Sequence, residues 1–329
     1  CAAPYQYNFG QLGREHALEA IESYKKRPLQ KSFKSLKEFF KSTFGEYMSN
    51  KFFIPYNEKL LGIELSKLSE FQVGRFFPKI KDNLINSQIN KINDDTKTYN
   101  SKYWYPKLGG IDLLIKHFEK PREIIYSSIS RINILNNSCE LEDGSSYIFS
   151  KFVSSISLKQ LLSKIENLPK EFNNYNENLT ASKQFAVNLG INKIIPILDK
   201  YAWLYIPDPA TNIYRIGNYS YASKYMSGSG SGMSLYIEIS SNSKNPVEDA
   251  KKFLKDNFSV EDKDISCLSL NSLYPGYVHF KKGQEQYVEN ILNWLKINNI
   301  YSIGRYGSWD YVSMEDCIVS ASSLAKSFR

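Results

Sequence analysis

Two arginines in this sequence could bind an anion, because each lies among aromatic or apolar residues. Arg215 lies in the strand-like segment NIYRIG, and Arg75 is near the end of an aromatic-rich helical segment. A guanidinium group recognises phosphates and carboxylates through paired, charge-assisted hydrogen bonds. The alternative for each arginine is a solvated side chain with no ligand, which is the usual place for this residue type.

The closing segment, GRYGSWDYVSMEDCIVSASSLAKSF, combines a glycine turn with a helix start. Gly304, Arg305 and Gly307 follow a short apolar run over residues 300–303, and Ser313 is the predicted N-cap of the last helix. Unpaired N–H groups point outward at such a helix start, and they favour an anion or a polar ring edge. The alternative is a strand–turn–helix connection that binds nothing.

Helical periodicity dominates the first part of the chain. It predicts a helix within residues 1–30 and a helix–loop–helix over 35–80, broken at Pro55 and Gly62. Residues 158–199 are predicted to be mainly helical. Further helices are predicted over 246–258, beginning near Pro246, and over GQEQYVENILNWLKINN.

A period of two begins at residue 123 and predicts three strands, joined by turns at Asn136-Asn137 and at Asp143-Gly144. Residues 200–240 are also rich in strand patterns, and YVHF is predicted to be one more strand. Helices and short β meanders alternate irregularly. The predicted fold class is therefore mixed α/β, in the α+β sense.

Composition limits the classes of partner. The chain has 329 residues, with 42 Lys and Arg against 34 Asp and Glu, a formal net charge of +8. The charges are scattered, so the sequence predicts no nucleic-acid partner, although a phosphate-bearing ligand suits the balance. The 24 tyrosines suit pockets for rings and sugars as well as cores.

Several kinds of site have no support in the sequence. The four cysteines lie far apart and the chain has three histidines, so neither a metal site nor a disulfide framework is predicted. No Ser–His–Asp or paired-carboxylate arrangement can be assembled. SGSGSG lacks the spacing of a phosphate loop and predicts a flexible turn. The cysteines are scattered, no apolar run is long enough to cross a bilayer, and there is no signal-peptide pattern. These features together predict a reducing, cytoplasmic compartment.

The closing segment resembles the C-terminal flavin signature of UDP-galactopyranose mutases and their relatives in the amine-oxidase-like flavoprotein group. Four further blocks resemble these proteins in the same order: YNEKLLGIELSKLSEFQVGR, YWYPKLGGIDLLI, ISRINILNNSCELEDGSSYIFSKFVSSIS and YIPDPATNIYRIGNYSYAS followed by SLYIEIS. The resemblance covers nearly the whole chain. The closing motif is the most specific of these blocks.

The resemblance implies three domains. The first is a discontinuous, Rossmann-like FAD-binding domain over residues 1–30, 101–170 and 290–329, with its N-terminal part missing. The second is an inserted helical domain on the substrate side, over residues 31–100. The third is an antiparallel sheet domain for substrate, over residues 171–289.

The resemblance also implies FAD as cofactor and a small-molecule nucleotide sugar as substrate. The cofactor-binding residues it implies are Arg131, Gly304, Arg305, Gly307, Ser313 and Met314. The implied catalytic residues are Arg75 and Arg215, which would act on the diphosphate of the substrate. The implied substrate-binding residues are Tyr56, Tyr277 and Tyr311. The implied function is a sugar-nucleotide mutase of cell-surface polysaccharide biosynthesis, with reduced flavin as the nucleophile; a homo-oligomer is compatible with it.

Two departures from the family pattern keep alternatives open. The GxGxxG segment that opens such flavoproteins is absent and would lie before Cys1, so the chain is expected to be a fragment. Leu61 stands where typical mutases have the tryptophan that stacks on uracil. The alternatives are an amine-oxidase-like FAD-dependent oxidoreductase and an inactive remnant that holds no FAD.

Overall fold

The structure is a computed structural model, and it describes residues 3–71, 80, 85–90, 103–118, 124–227 and 231–329. Its α-helices are α1 (Tyr5–Asn8), α2 (Arg14–Lys25), α3 (Leu36–Phe44), α4 (Glu46–Met48), α5 (Ile54–Leu61), α6 (Asp112–Phe118), α7 (Leu158–Lys164), α8 (Tyr175–Asn178), α9 (Pro196–Asp199), α10 (Tyr219–Ala222), α11 (Pro246–Phe258), α12 (Gln284–Ile297), α13 (Gly304–Gly307) and α14 (Met314–Ser327). A π-helical turn, Ser49–Phe53, joins α4 to α5.

The strands are β1 (Ile129–Asn133), β2 (Ser138–Leu141), β3 (Ser146–Ile148), β4 (Phe152–Ser154), β5 (Gln184–Ile191), β6 (Trp203–Tyr205), β7 (Ile213–Asn218), β8 (Met233–Ser240), β9 (Ile265–Leu273) and β10 (Ile300–Ser302). They form a β1-β2-β3 meander, a parallel β10-β4 pair and an antiparallel sheet in the order β6-β7-β8-β5-β9. The predicted mixed fold class is confirmed. Among the described residues, none of the helices is both long and apolar enough to cross a membrane.

The chain divides into two compact units. Unit 1 comprises Cys1–Glu119 and Ser182–Tyr274, and unit 2 comprises Lys120–Ala181 and Pro275–Arg329. The predicted three-domain division remains a prediction.

Unit 1 contains the five-stranded sheet, whose side chains alternate between two faces. Val187, Leu235 and Ile237 are fully buried on one face. They pack in one apolar cluster with Ala250 and Leu254 of α11. The other face carries polar and aromatic side chains.

The helical part of unit 1 is held together by aromatic rings. The rings of Phe44 and Phe53 stack with centroids 4.2 Å apart, and the Phe40 ring stacks on Phe53 at 5.3 Å. A break in the helical pattern was expected at Pro55, but the helical run continues through this residue. Pro55 lies in the first turn of α5, directly after the π-helical turn Ser49–Phe53. Gly62 ends α5 in the left-handed conformation, with φ of 64°.

Unit 2 has its own apolar core, built around α7, α12 and the parallel strand pair. Leu158, Leu161, Ile291 and Ile300 have no exposed surface within it. The predicted turns of the meander are confirmed, because Asn137 has φ of 52° and Gly144 has φ of 83°.

Two predictions of secondary structure are wrong. Residues 184–191 form strand β5, although a mainly helical segment was expected there. They pair with β8 on one side and β9 on the other, and these ladders decide the conformation. YVHF is not a strand: within it, Val278 makes a single bridge to Ala181.

Candidate functional site

Unit 2 places the closing segment at the end of its parallel strand pair. Strand β10 lies beside β4, and α13 follows directly, with Gly304 at φ of 80°. A Cβ built at Gly304 would meet no atom within 4 Å. Glycine adopts this positive φ readily, and its lack of a side chain leaves the space beside its backbone open. The predicted glycine turn is therefore one short helical turn.

Arg305 is surrounded by tyrosine rings. Its guanidinium carbon lies 4.5 Å from the ring centroid of Tyr311, 5.2 Å from that of Tyr277 and 5.9 Å from that of Tyr306. One guanidinium nitrogen donates to the carbonyl oxygen of Val312 at 3.2 Å. The predicted residues Arg305, Tyr277 and Tyr311 thus lie in one cluster, which we call the Arg305 cluster.

The charge of the Arg305 cluster suits an anion. Within the part of the chain that the structure describes, Arg305 has no carboxylate partner. Its neighbours are instead ring faces, which attract a cation without neutralising it. The rings of Tyr277 and Tyr311 lie 5.3 Å apart, and the Tyr306 hydroxyl donates to the carbonyl oxygen of Gly276 at 3.2 Å. A positive charge among tyrosine side chains, with open space beside the neighbouring Gly304 backbone, fits a phosphate-bearing group.

The start of α14 is a complete capping box. The Ser313 hydroxyl accepts from the Asp316 backbone N–H at 3.2 Å. The Asp316 carboxylate accepts from the Ser313 backbone N–H and hydroxyl, each at 2.7 Å. The predicted N-cap is confirmed, but the Ser313 N–H already has an acceptor. Met314 is in the first turn, where the backbone N–H has no acceptor within the helix.

Unit 1 places Arg215 on β7, directly across from Glu238 on β8. The two side chains form a forked ion pair: Nε donates to Oε2, and Nη2 donates to Oε1 at 2.6 Å. Their side chains are 25% and 18% exposed, so the pair is shielded but reachable. Arg215 is therefore held in one orientation by a neighbouring strand.

Three further side chains continue this polar sheet face. The Tyr236 ring lies over Gly217, where an added Cβ would come within 1.8 Å of ring carbon Cζ. The Tyr219 ring lies 4.8 Å from the Tyr236 ring, and its hydroxyl donates to Asn188 Oδ1 at 3.3 Å. Burial raises the pKa of Tyr236 to about 12, so its hydroxyl keeps its proton near neutral pH.

Tyr56 lies in α5 of unit 1 and is buried. Its ring lies edge-on to that of Tyr205, with centroids 5.1 Å apart, and stacks on that of Phe52 at 5.5 Å. One turn further along, Lys59 Nζ donates to the carbonyl oxygens of Ile206, Asp208 and Ile213, at 2.6–2.8 Å. Burial lowers the pKa of Lys59 to about 8.

The remaining predicted site residues have different surroundings. Arg75 lies outside the described residues. Arg131 is half exposed and pairs with Glu140 at 2.5 Å and with Glu166 at 2.9 Å. Leu61 is buried at 3% exposure. Among the residues that the structure describes, no group of His, Cys, Asp and Glu could hold a metal ion.

A separate cavity of about 540 Å³ lies in unit 1 at the start of α2. His16 lines it, with Nε2 lying 3.0 Å from the Tyr5 hydroxyl and Nδ1 lying 3.2 Å from the Tyr47 hydroxyl. Burial and the nearby positive charge of Lys51 lower the pKa of His16. None of the predicted site residues that the structure describes lines this cavity.

Sequence reasoning missed Glu238, Tyr236, Tyr219 and Lys59. The motif SLYIEIS does carry a signal, since Glu238 is an acidic residue inside an apolar alternating strand. Its partner could not be named, because pairing with Arg215 depends on the strand register.

Comparison with known proteins shows the fold. A crystal structure of reduced UDP-galactopyranose mutase matches with a TM-score of 0.84, covering 94% of this chain and 70% of that chain at 21% sequence identity. The chain has the fold of UDP-galactopyranose mutase. The predicted resemblance to this family, from which FAD was expected, is therefore confirmed at the level of the fold. No protein-family model matches the chain.

Two oxidases match this chain less closely than the mutase does. A protein assigned as a protoporphyrinogen oxidase from Exiguobacterium sp. 255-15 gives a TM-score of 0.66, covering 94% of this chain and 71% of that one at 12% identity. Cyclohexylamine oxidase from Brevibacterium oxydans IH-35A gives 0.51, covering 86% and 66% at 11% identity. The fold of this chain is thus similar to that of a mutase and to those of two proteins named as oxidases.

Proposed function

We propose that this chain belongs to an FAD-dependent enzyme that isomerises the sugar of a nucleotide sugar. The observation that carries the proposal is the extent of the match to reduced UDP-galactopyranose mutase, a TM-score of 0.84 over 94% of the chain. The oxidases of the same fold match at 0.66 and 0.51. The greater structural similarity to the mutase thus favours a mutase function over a redox function.

The Arg305 cluster supports FAD as the cofactor. FAD carries a pyrophosphate, and Arg305 supplies a positive charge that no carboxylate among the described residues neutralises. The open side of Gly304 lets a ligand approach the backbone, and the first turn of α14 favours negative charge. Gly304, Arg305, Gly307 and Met314 are the residues proposed to hold FAD, with Ser313 fixing the helix start and Arg131 nearer the adenine.

FAD, when bound and reduced, supplies a nucleophilic electron pair, so the protein itself needs no nucleophile. The chain's own task is to hold the substrate and to stabilise charge as the nucleotide diphosphate separates from the sugar. Arg215 is proposed for that charge, together with Arg75. The Tyr56 hydroxyl, in the same unit as Arg215, is proposed as a donor to a phosphate oxygen of the substrate. In the other unit, the hydroxyls of Tyr277 and Tyr311 are proposed as donors to phosphate oxygens beside Arg305.

A cytoplasmic role in building cell-surface polysaccharide fits this proposal. The described cysteines Cys139, Cys267 and Cys317 are free thiols, the state in which a reducing compartment keeps them. Leu61 supplies no ring to stack on a base, so the nucleotide base need not be uracil.

Isomerisation under reducing conditions tests the proposal. The purified protein is incubated with a panel of nucleotide sugars, either with dithionite or in air. We expect isomerised sugar only in the reduced samples, without stoichiometric use of an oxidant. Peroxide or a reduced acceptor formed in step with substrate loss would instead assign the chain to the oxidoreductases, the alternative that the oxidase matches favour.

Flavin content tests the cofactor site separately. Arg305→Met should lower the flavin-to-protein ratio of the purified protein, because it removes the charge that is proposed to face the pyrophosphate. Lys296→Met is the matched control, since Lys296 is an exposed cation in the last turn of α12. An unchanged ratio in Arg305→Met would remove Arg305 from the cofactor site.

A further inference from the structure

Arg215 and Glu238 face each other across two hydrogen-bonded strands, and both oxygens of the carboxylate are used. Nε and Nη2 of the arginine each donate to a different carboxylate oxygen. A guanidinium has five N–H donors, so this pair uses two of them and fixes the plane of the group. A single hydrogen bond would leave the plane free to rotate, whereas a fork does not.

The neighbouring side chains restrict the pair from the side. The guanidinium carbon lies 5.9 Å from the Tyr236 ring centroid. That ring is itself fixed, because it occupies the space above Gly217 and packs on Tyr219. Glu238 therefore belongs to a rigid arrangement spanning β7 and β8.

Charge alone does not explain Glu238. A carboxylate beside the arginine brings the local charge close to zero, and this weakens the attraction for an anionic ligand. An arginine that served only as a positive charge would bind a diphosphate better without Glu238. This weaker attraction is offset if the carboxylate holds the guanidinium in the orientation that a phosphate needs.

We propose that Glu238 is a positioning residue that orients Arg215 towards a phosphate group of the substrate. This inference rests on the proposed function, in which Arg215 contacts the diphosphate. Glu238 itself acts through the arginine and does not touch the ligand.

Binding of UDP to the full chain, measured by calorimetry, tests the inference. Glu238→Gln removes a negative charge while nearly keeping the shape of the side chain. Positioning predicts that UDP binds about tenfold more weakly to this variant. A purely electrostatic role predicts tighter binding and the absence of any role predicts equal binding, and either result would overturn the inference.

Two further variants separate the inference from the proposed function. Arg215→Ala should weaken UDP binding, and adding Glu238→Gln to it should change nothing more, because no guanidinium remains to be oriented. Unchanged binding in Arg215→Ala would overturn the proposed role of Arg215 and the positioning role with it. Weakened binding in Arg215→Ala with normal binding in Glu238→Gln would overturn the positioning role alone.

The variant Glu238→Asp, with its folding checked by circular dichroism, serves as a further control. Aspartate keeps the charge but is one methylene shorter, so it reaches the guanidinium through fewer hydrogen bonds. We expect UDP binding intermediate between the native chain and Glu238→Gln, with an unchanged spectrum. Native binding in Glu238→Asp would contradict the need for the fork and would overturn the inference.

Discussion

Lys59 is a buried cation whose three N–H donors each have a backbone carbonyl acceptor. These acceptors, on Ile206, Asp208 and Ile213, lie at the ends of the loop between β6 and β7. Lys59→Met should lower the free energy of unfolding by about 2–3 kcal/mol, because three carbonyl oxygens lose a donor. Chemical denaturation measures this. Lys67→Met, at an exposed lysine of unit 1, should change the stability little.

The effect of Lys59 should depend on pH in a defined window. Burial lowers its folded pKa to about 8 from 10.5, so between these values the unfolded chain binds more protons. Lys59 therefore makes the native chain more stable as the pH rises, by up to about 1.4 kcal/mol per unit. The difference in unfolding free energy between the native chain and Lys59→Met should grow from pH 8 to pH 10. A flat or falling difference would contradict the lowered pKa.

Gly217 is required by the ring that covers it. In Gly217→Ala the new methyl group would meet the Tyr236 ring at 1.8 Å, so the ring must leave its place on Tyr219. We expect a loss of about 1–3 kcal/mol in unfolding free energy. Gly190→Ala is the control on the adjacent part of the sheet, since the atoms within 3.0 Å of its methyl group are the side-chain ends of Ser266 and Cys267.

Predicted site residues that lie close together along the chain are brought together in the structure, and their roles remain predictions. Arg305 and Tyr311 belong to one motif, and the structure places both in the Arg305 cluster. Glu238 and Lys59 were missed because their partners are distant in sequence: Lys59 contacts carbonyls about 150 residues away. Only strand register and loop packing bring such groups together.

At the scale of elements, α14 depends on its cap. None of its residues is buried, so tertiary packing contributes little to its stability. Asp316→Ala removes the acceptor of the Ser313 N–H and should cost about 1 kcal/mol locally. Amide exchange in α14 should then be about fivefold faster. Ser327→Ala, at the far end of the helix, is the control. Equal exchange in both variants would show that the cap does not limit fraying.

The two misread elements show why periodicity alone is insufficient. Strand β5 has apolar residues at alternate positions, yet the surrounding helical patterns favoured a helix for residues 158–199. The neighbours β8 and β9 decide its conformation, and the sequence does not show which strands lie beside it. Helices α11 and α14 were predicted correctly, because Pro246 and Ser313 mark their starts locally.

At the scale of the molecule, the two units have separate apolar cores. Ile237 is fully buried in the core of unit 1, and Ile291 is fully buried in that of unit 2. The division into units follows packing, whereas the sequence predicts domains from resemblance, and this is why their boundaries need not coincide. Each core should therefore stabilise its own unit first.

Hydrogen exchange of two matched variants tests this independence. Ile237→Ala and Ile291→Ala each leave a cavity and should cost about 2–5 kcal/mol. If the cores are independent, Ile237→Ala lowers the protection of amides in β5, β7 and β8 while those in α7 and α12 keep theirs, and Ile291→Ala does the reverse. Equal loss of protection in both units from either variant would show one cooperative structure. Each variant also serves as the other's control for a general loss of stability, because each removes the same side-chain atoms from a different core.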